Sequence, residues 1–339
     1  MRIKSLTIKG LRGIAQGTIP DLAPMTILLG PNGCGKSTVL EAAGVACAGP
    51  SASASFAALS CREWLGVEGM RYWVIPGVGA EVSSKWLLDE AFEGDTPTVK
   101  LTVDLRPQMA TLYSSESGPA QTAVHVDSDG TATIASQLPE RCPFTLHAAF
   151  VDRGASASLR FSNPRFSSAL RDSLSRIKLS AWYDAFFEYL RILRPNLLGV
   201  ENIAVGDRDE PFMFEGPPRR GYPIAYAGDG FARTLLIAAS LAQSHGGVCA
   251  LDEPEAFAHP KMFHVLAQLL RRAIDDKTQV FIATHSLEFV EAVLREFESA
   301  ANKACVVGLT MADGVLDPLV ISGPDAYQRV IEWKDDLRL

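Results

Sequence analysis

The sequence predicts an α/β fold with a β-rich insert and a helical subdomain, and three observations support it. Short apolar strands alternate with helical segments towards both ends of the chain. Residues 70–150 show the apolar alternation of strands, whereas residues 164–195 place apolar side chains three and four positions apart, as helices do. We therefore expect one α/β core that is assembled from both ends of the chain.

The expected domain organisation is a single domain over residues 1–339. Its α/β core takes residues 1–60 and 222–339, with the β-rich insert at 65–155 and a helical lobe and linker at 160–221. The insert and the lobe thus separate the two halves of the core in the sequence.

The elements of the core are marked by glycine, proline and apolar periodicity. In the first half, the apolar strand Met25–Leu29 precedes a glycine-rich loop and a helix, Thr38–Cys47. Ala48–Leu59 is rich in serine and alanine, and we expect it to be irregular. Asp207–Pro223 is expected to be a loop because proline, glycine and charged residues are frequent there. The second half alternates, with helices at Phe231–Gln243, Pro260–Ala273 and Ser286–Asn302 and strands at Gly247–Leu251, Gln279–Ala283 and Cys305–Leu309.

Composition and charge exclude several classes of protein. Hydrophobic residues make up 47% of the chain and charged residues 21%, which excludes bulk disorder. The formal net charge of −7 argues against a surface that coats nucleic acid. No apolar run reaches the roughly 18 residues of a membrane span, and no secretory signal is visible. The six cysteines form no Cys-x-x-Cys pair, so we expect a cytoplasmic protein without zinc or disulfides.

A glycine-rich loop with the pattern G-x-x-x-x-G-K-[ST] runs from Gly30 to Ser37, between a predicted strand and a predicted helix. Its glycines let the backbone wrap around an anion and direct N–H groups at a β-phosphate, and the helix adds its positive end. Lys36 is expected to reach the β- and γ-phosphates and act in catalysis, and Ser37 to ligate Mg²⁺. The predicted phosphate-binding residues are Asn32, Gly33, Cys34, Gly35, Lys36, Ser37 and Thr38.

Two acidic residues, Asp252 and Glu253, end an apolar strand in the second half of the core. A buried strand would deliver Asp252 beside the phosphate loop, where its carboxylate can hold Mg²⁺ directly or through water. Glu253 is then placed to act as a general base towards an attacking water. The alternative is an ordinary acidic turn, which the phosphate loop makes a poorer explanation.

A second apolar strand, Gln279–Ala283, ends in Thr284, His285 and Ser286. His285 follows Asp252 by one helix and one strand, so a neighbouring parallel strand would bring it to the same sheet edge. An imidazole there can hydrogen-bond a γ-phosphate and respond to its loss. A structural histidine is the alternative, and the convergence of three strand ends favours a catalytic one.

Together these motifs resemble those of ABC-type ATPases, in the branch of OLD, RecF and SMC proteins. The loop Gly30–Ser37 looks like their phosphate-binding motif, Asp252 and Glu253 like the Walker B aspartate and catalytic glutamate, and His285 like the switch histidine. Tyr226–Arg233 resembles the signature motif that opens a helix. The resemblance implies that two heads enclose two molecules of ATP with Mg²⁺. It also implies that the signature residues contact the γ-phosphate on the opposite head; here they are Gly228, Asp229 and Gly230.

The segment after the acidic pair indicates which branch of the ABC-type ATPases the sequence resembles. Asp252–Pro260 is similar to OLD proteins and related stand-alone ATP-binding proteins rather than to transporters, and so is the opening segment Ile3–Gly13. OLD nucleases continue into a TOPRIM domain, which needs on the order of 100 residues. Because only a short segment follows His285, we expect no nuclease activity from this chain alone. The acidic residues in that segment do not predict a credible metal site: Asp313, Asp317 and Asp325.

Two features depart from the family pattern. Gly228 stands where the signature often begins with serine, so a hydroxyl contact to the γ-phosphate is missing. No glutamine stands out as a Q-loop residue, since Gln121 and Gln137 lie in the β-rich insert without supporting context. The length of the chain also leaves no room for a long SMC-like coiled coil.

Basic residues are frequent around the predicted helical lobe. One interpretation is a groove for a phosphate backbone, which makes DNA a candidate partner. The other is a solvated helical face, because acidic residues are interleaved with the basic ones. The basic residues are Arg153, Arg160, Arg165, Arg171, Arg176, Lys178, Arg191, Arg194, Arg219 and Arg220.

These observations predict a cytoplasmic ATPase that forms a homodimer or higher homo-oligomer around ATP and Mg²⁺ and changes shape on hydrolysis. The resemblance implies that it regulates or drives a separately encoded effector, in phage defence or DNA processing, and no membrane partner is expected. The alternative is a nucleotide-gated scaffold or sensor that hydrolyses ATP slowly while it holds a toxin or effector. Phosphate release measured with and without DNA separates these hypotheses.

Overall fold

The computed structural model has a mixed α/β architecture, as the sequence predicts. Within the part of the chain it describes, no helix combines the length and the apolar character that a membrane crossing requires. The described residues are 2–48, 51–59, 70, 72–75, 78–89, 92–95, 98–106, 109–115, 121–127, 132–134, 148–151, 164–179, 182–256 and 258–338.

The strands form a large 14-stranded sheet and a separate 3-stranded sheet in the described residues. In chain order they are β1 (Arg2–Leu11), β2 (Ile14–Ile19), β3 (Met25–Leu29), β4 (Ala80–Asp89), β5 (Phe92–Asp95), β6 (Val99–Arg106), β7 (Met109–Ser115), β8 (Gln121–Asp127), β9 (Ala132–Ile134), β10 (Ala148–Val151), β11 (Leu197–Val205), β12 (Arg208–Glu215), β13 (Arg220–Pro223), β14 (Val248–Asp252), β15 (Gln279–Ala283), β16 (Ala304–Ala312) and β17 (Val315–Ser322).

The helices pack on both faces of the large sheet. In chain order they are α1 (Lys36–Ala48), α2 (Ala52–Leu59), α3 (Pro164–Lys178), α4 (Tyr183–Leu193), α5 (Asp229–Gln243), α6 (Lys261–Asp275), α7 (Leu287–Glu296) and α8 (Gly323–Tyr327). Short 3₁₀ segments precede α5 at Ile224–Ala227 and follow α7 at Glu298–Lys303.

The strand order of the large sheet brings the two ends of the chain together. The order is β10-β14-β15-β3-β16-β17-β2-β1-β4-β6-β7-β8-β9, with β5 paired to β4. The five strands from β10 to β16 are parallel to one another, and β16 then pairs with β17 in the antiparallel direction. Since β3 from the first half lies between β15 and β16 from the second, neither half of the chain completes this core alone.

The central strands are buried on both faces, which explains their continuous apolar sequence. In β3, Met25, Ile27 and Leu29 point into one hydrophobic cluster, which also contains residues of α3 to α7. Leu28 points into the other, which contains residues of α1 and α2. The strand is thus held between two helical layers, and its end is fixed in position.

Two stretches that were expected to lack regular structure form regular elements. Most of Ala48–Leu59 is helix α2, because Ala52, Ala58 and Leu59 are buried against the sheet side of the molecule and alanine strongly favours a helix. Asp207–Pro223 is not a loop but contains β12 and β13. Its Pro211 is tolerated because β13 pairs only with the following residues, Phe212 to Glu215.

Candidate active site

Three parallel strands, β3, β14 and β15, end at the same edge of the large sheet. The register pairs Leu28 with Ala283 and Ala283 with Asp252. The residues that follow each strand therefore meet at this edge, where the sequence predicts convergence. These residues belong to the glycine-rich loop, to the acidic segment after β14 and to the turn after β15.

The glycine-rich loop connects β3 to α1 and has the backbone that its sequence requires. Gly33 has φ 81° and Gly35 has φ 93°, both in the left-handed region that favours glycine. A Cβ added at Gly33 would have no atom within 4 Å, so this side of the loop borders open space. Helix α1 begins at Lys36 and directs its N-terminal N–H groups at the loop.

The side chain of Lys36 is held by the loop itself. Its Nζ donates hydrogen bonds to Gly30 O at 2.7 Å and to Pro31 O at 2.9 Å. Only 8% of the residue is exposed. The ammonium group thus lies at the centre of the loop, and it must exchange these carbonyl acceptors for a phosphate if it binds one.

Glu253 and His285 form a pair across the ends of β14 and β15. Glu253 Oε1 lies 3.2 Å from His285 Nδ1, and the side chains are 10% and 56% exposed, respectively. Glu253 adopts φ 47°, an uncommon left-handed conformation, and its N–H donates to Ala283 O at 2.8 Å. The backbone of Glu253 is therefore fixed against β15. Its carboxylate is largely buried and contacts the more exposed imidazole of His285.

The two residues predicted to hold Mg²⁺ lie on elements that contact each other. Ser37 is the second residue of α1 and Asp252 the last residue of β14, and α1 packs against β14. A hydroxyl and a carboxylate offer the oxygen ligands that Mg²⁺ prefers. Among the described residues, no cluster of three or more His, Cys, Asp or Glu side chains could hold a metal. The pair fits an ion that takes its remaining ligands from phosphates and water.

The segment that resembles the signature motif opens a helix, as expected. Gly228 precedes α5, and Asp229 and Gly230 form its start. Gly228 has φ 87°, which disfavours the serine of the family pattern. Tyr226, two residues earlier, is 81% exposed. This segment is accessible to another molecule.

Arg233 is a site residue to which the sequence assigned no role. It lies one turn into α5, is buried, and donates hydrogen bonds to Asp252 O at 3.1 Å and to Glu253 O at 2.8 Å. The guanidinium therefore ties the signature helix to the end of β14. The available signal was a single arginine in the otherwise apolar run from Phe231 to Ala242.

Glu255 and Thr284 are two further residues whose roles were missed. Both are buried, and Thr284 Oγ1 donates a short hydrogen bond to Glu255 Oε1. Burial raises the pKa of Glu255 above its usual range. The sequence shows that Glu255 lies two residues after Glu253 and that Thr284 directly precedes His285, but it does not indicate that the side chains of Glu255 and Thr284 meet.

Several basic residues around the predicted helical lobe contact other side chains of the same chain. Arg194 donates to Glu215 Oε1 at 2.6 Å and lies over the ring of Phe231, and Arg219 lies over the ring of Phe214. Arg194 and Arg219 thus make ion-pair and cation–π contacts with side chains of the same chain. Arg153, Arg160 and Gln137, and the side chains of Arg165 and Gln121, lie outside the described part of the structure.

Solved structures with a similar fold are heads of SMC proteins. An SMC head bound to the C-terminal winged-helix domain of ScpA has a TM-score of 0.52 and 16% identity, covering 95% of this chain and 98% of that one. An SMC head with an extended coiled coil, bound to the C-terminal domain of ScpA from Pyrococcus furiosus, has a TM-score of 0.50 and 13% identity, covering 98% and 99%. These similarities define a P-loop ATPase fold.

Family comparisons agree with the fold. A family described as "AAA domain, putative AbiEii toxin, Type IV TA system" matches residues 139–291, and a family described as "AAA domain" matches residues 5–63. The uncharacterized protein MJECL11 of Methanocaldococcus jannaschii is 29% identical over 111 residues, which are 32% of this chain and 94% of that protein. Models of AAA domains thus match two separate parts of the chain, and its fold is the P-loop ATPase fold of SMC heads.

Proposed function

We propose that this chain binds ATP with Mg²⁺, hydrolyses it as a homodimer, and uses the change of shape to regulate a separate effector. The observation that carries the proposal is the Glu253–His285 pair, which lies at the same sheet edge as the loop that holds Lys36. A glycine-rich phosphate loop, a carboxylate that can accept a proton and an exposed imidazole are the groups that water attack on a γ-phosphate requires.

The residues at this edge fit the nucleotide and the metal. The loop faces open space at Gly33, and α1 offers its N-terminal N–H groups to an anion. Ser37 and Asp252 would hold Mg²⁺, and the bound ion would neutralise charge on the β- and γ-phosphates. Lys36 would leave Gly30 O and Pro31 O and donate to the phosphates instead.

In the proposed reaction, Glu253 accepts the proton of the attacking water. Its backbone is anchored to Ala283, so the carboxylate stays within reach of the phosphate-loop edge. His285 Nδ1 faces Glu253, and its Nε2 can donate to a γ-phosphate oxygen when the ring is protonated. In this proposal, His285 orients the base Glu253 through Nδ1 and responds to the γ-phosphate through Nε2.

The proposed homodimer explains why the signature segment is exposed. Gly228, Asp229 and the preceding Tyr226 are all exposed on this chain. In the proposal, this segment of one head contacts the γ-phosphate bound to the other, with the first turn of α5 as the anion-binding end.

We propose that the effector is a toxin or another defence protein. One matched family carries a toxin–antitoxin description, which supports control of a toxin or another defence effector. The same observation favours a second candidate, a scaffold that holds such a toxin and hydrolyses ATP slowly.

Phosphate release by the full chain tests the hydrolytic function. We expect Glu253→Gln to keep ATP binding and to stabilise the dimer, while kcat falls about 10²–10⁴-fold, the usual contribution of a general base. Glu188→Gln, an exposed glutamate on α4, serves as the control and should keep wild-type kcat. Unchanged kcat in Glu253→Gln would remove this residue from the mechanism.

The same assay separates the two candidate functions. Turnover that rises strongly with DNA supports a role in DNA processing, whereas near-zero wild-type turnover with tight ATP binding supports the scaffold. A wild-type protein that does not bind ATP would contradict both.

A further inference from the structure

Thr284 lies where the three converging strand ends are linked by hydrogen bonds. Its backbone N–H donates to Leu28 O at 3.1 Å, which connects it to β3 just before the glycine-rich loop. Its Oγ1 accepts a hydrogen bond from Ser286 N at 3.0 Å and donates one to Glu255 Oε1. One fully buried hydroxyl thus bridges the acidic segment and the turn that carries His285.

The turn that carries His285 depends on this bridge. His285 lies between Thr284 and Ser286, and the bond from Ser286 N to Thr284 Oγ1 closes the turn around it. Ser286 Oγ in turn accepts from Phe289 N at 3.1 Å and caps α7. The position of the imidazole therefore follows from how Thr284 Oγ1 is oriented, and Glu255 is the acceptor that orients it.

Glu255 is suited to hold Thr284 because its carboxyl group is buried beside the Thr284 hydroxyl. The residue is 6% exposed, and among the described residues its Oε2 is buried with no hydrogen-bond partner. Burial raises the pKa of Glu255, and the neighbouring carboxylate of Glu253 raises it further. The Oε1 atom of Glu255 accepts the hydrogen bond from the Thr284 hydroxyl, and the raised pKa of Glu255 means that its burial disfavours the charged form.

We propose that Glu255 is a positioning residue that acts through Thr284 to place His285 against Glu253. The inference rests on the proposed hydrolysis of ATP and deepens it, because it identifies what holds the Glu253–His285 pair together. In this proposal, Glu255 and Thr284 contact neither the nucleotide nor the attacking water. Their loss should therefore lower kcat and leave nucleotide affinity unchanged.

The test compares two buried threonines at opposite ends of β15 in the full chain. Thr284→Val removes the bridging hydroxyl, and Thr278→Val removes a matched buried hydroxyl that donates to Ser244 O at 3.2 Å, far from the site. Thr284→Val removes the hydrogen bonds of Oγ1 to Glu255 and from Ser286, and we expect it to lower kcat about tenfold or more, with the Kd for ATP within twofold of wild type. Thr278→Val should keep wild-type kcat.

Substitutions at Glu255 test whether a neutral acceptor is sufficient. Glu255→Gln keeps an acceptor oxygen without charge, and we expect its kcat within about twofold of wild type. Glu255→Ala should lose about as much as Thr284→Val, and the double variant should lose no more than either single one, since both break the same bridge. Thr284→Ser, which keeps the hydroxyl, should restore most of the activity.

The position of His285 is read independently by NMR of ¹³C-labelled histidine Cε1, with the His285 signal assigned from His285→Ala. We expect this signal to shift in Thr284→Val and Glu255→Ala and to stay in place in Thr278→Val and Glu255→Gln. An active wild type with unaffected kcat in Thr284→Val, an unmoved His285 signal, or equal losses in Glu255→Gln and Glu255→Ala would each overturn the inference. A wild-type protein that binds ATP but does not hydrolyse it would instead contradict the proposed hydrolysis. The hydrogen bond between Thr284 and Glu255 would then have no role in catalysis.

Discussion

Replacing the buried Arg233 with methionine should destabilise the fold markedly. Its guanidinium joins α5 to the carbonyl groups of Asp252 and Glu253 through bonds of 3.1 Å and 2.8 Å. Hydrogen bonds from charged donors contribute about 1.5–3 kcal/mol each. Methionine has a similar length and fills the space. The change therefore mainly removes these two bonds, and each of the two carbonyl groups loses one hydrogen-bond donor.

The expected net loss is about 2–4 kcal/mol, smaller than the sum of the two bonds because methionine avoids the cost of burying a charge. For a chain of 339 residues, this loss corresponds to a fall in Tm of roughly 3–6 °C. Thermal unfolding followed by circular dichroism measures the difference directly. Arg191→Met is the matched control, because Arg191 pairs with Glu188 on the exposed face of α4 and such pairs contribute about 0.5 kcal/mol or less. Equal Tm values for the two variants would refute the assignment of Arg233 as the link between α5 and β14.

Three further predictions test the loop, the dimer and the packing. Lys36→Ala should lose most of the affinity for ATP in equilibrium binding, because the only loop cation is removed; wild-type affinity would show that the loop does not bind phosphate. A Gly228→Trp variant mixed with Lys36→Ala should recover part of the hydrolysis if the signature acts between heads, and no recovery at any ratio would argue against that arrangement. Gly323→Ala should lower Tm by several degrees because its Cβ would collide with Ala301 O, whereas Gly13→Ala, with open space around it, should not.

The sequence was sufficient to predict the central strands and the sheet edge where they meet. The strands Met25–Leu29 and Gln279–Ala283 have the predicted bounds, because a strand buried on both faces must be apolar throughout and its ends are polar or glycine. The parallel arrangement then followed from the intervening helices. For both strands, the local sequence pattern and the burial in the folded chain require apolar residues at the same positions.

Other elements depend on contacts that a single sequence does not display. Helix α2 and the strands within Asp207–Pro223 are composed of residues that also occur in loops, and packing decides their structure. The bonds from Arg233 to β14 and from Thr284 to Glu255 join residues on different elements. The sequence showed that each of these residues stood near a motif, but the pairing depends on side-chain direction in the folded chain.

The position of β3 between β15 and β16 has a consequence for how the protein is made. A ribosome adds about 5–20 residues per second, so β3 emerges well before either neighbour is synthesised. During this interval an apolar strand has two unpaired edges, which is the state most open to wrong pairing and aggregation. The proposed phosphate binding can begin only after β15 and β16, the neighbours of β3, have left the ribosome. A nascent chain that stalls before β15 should therefore be inert towards nucleotide and a client for chaperones.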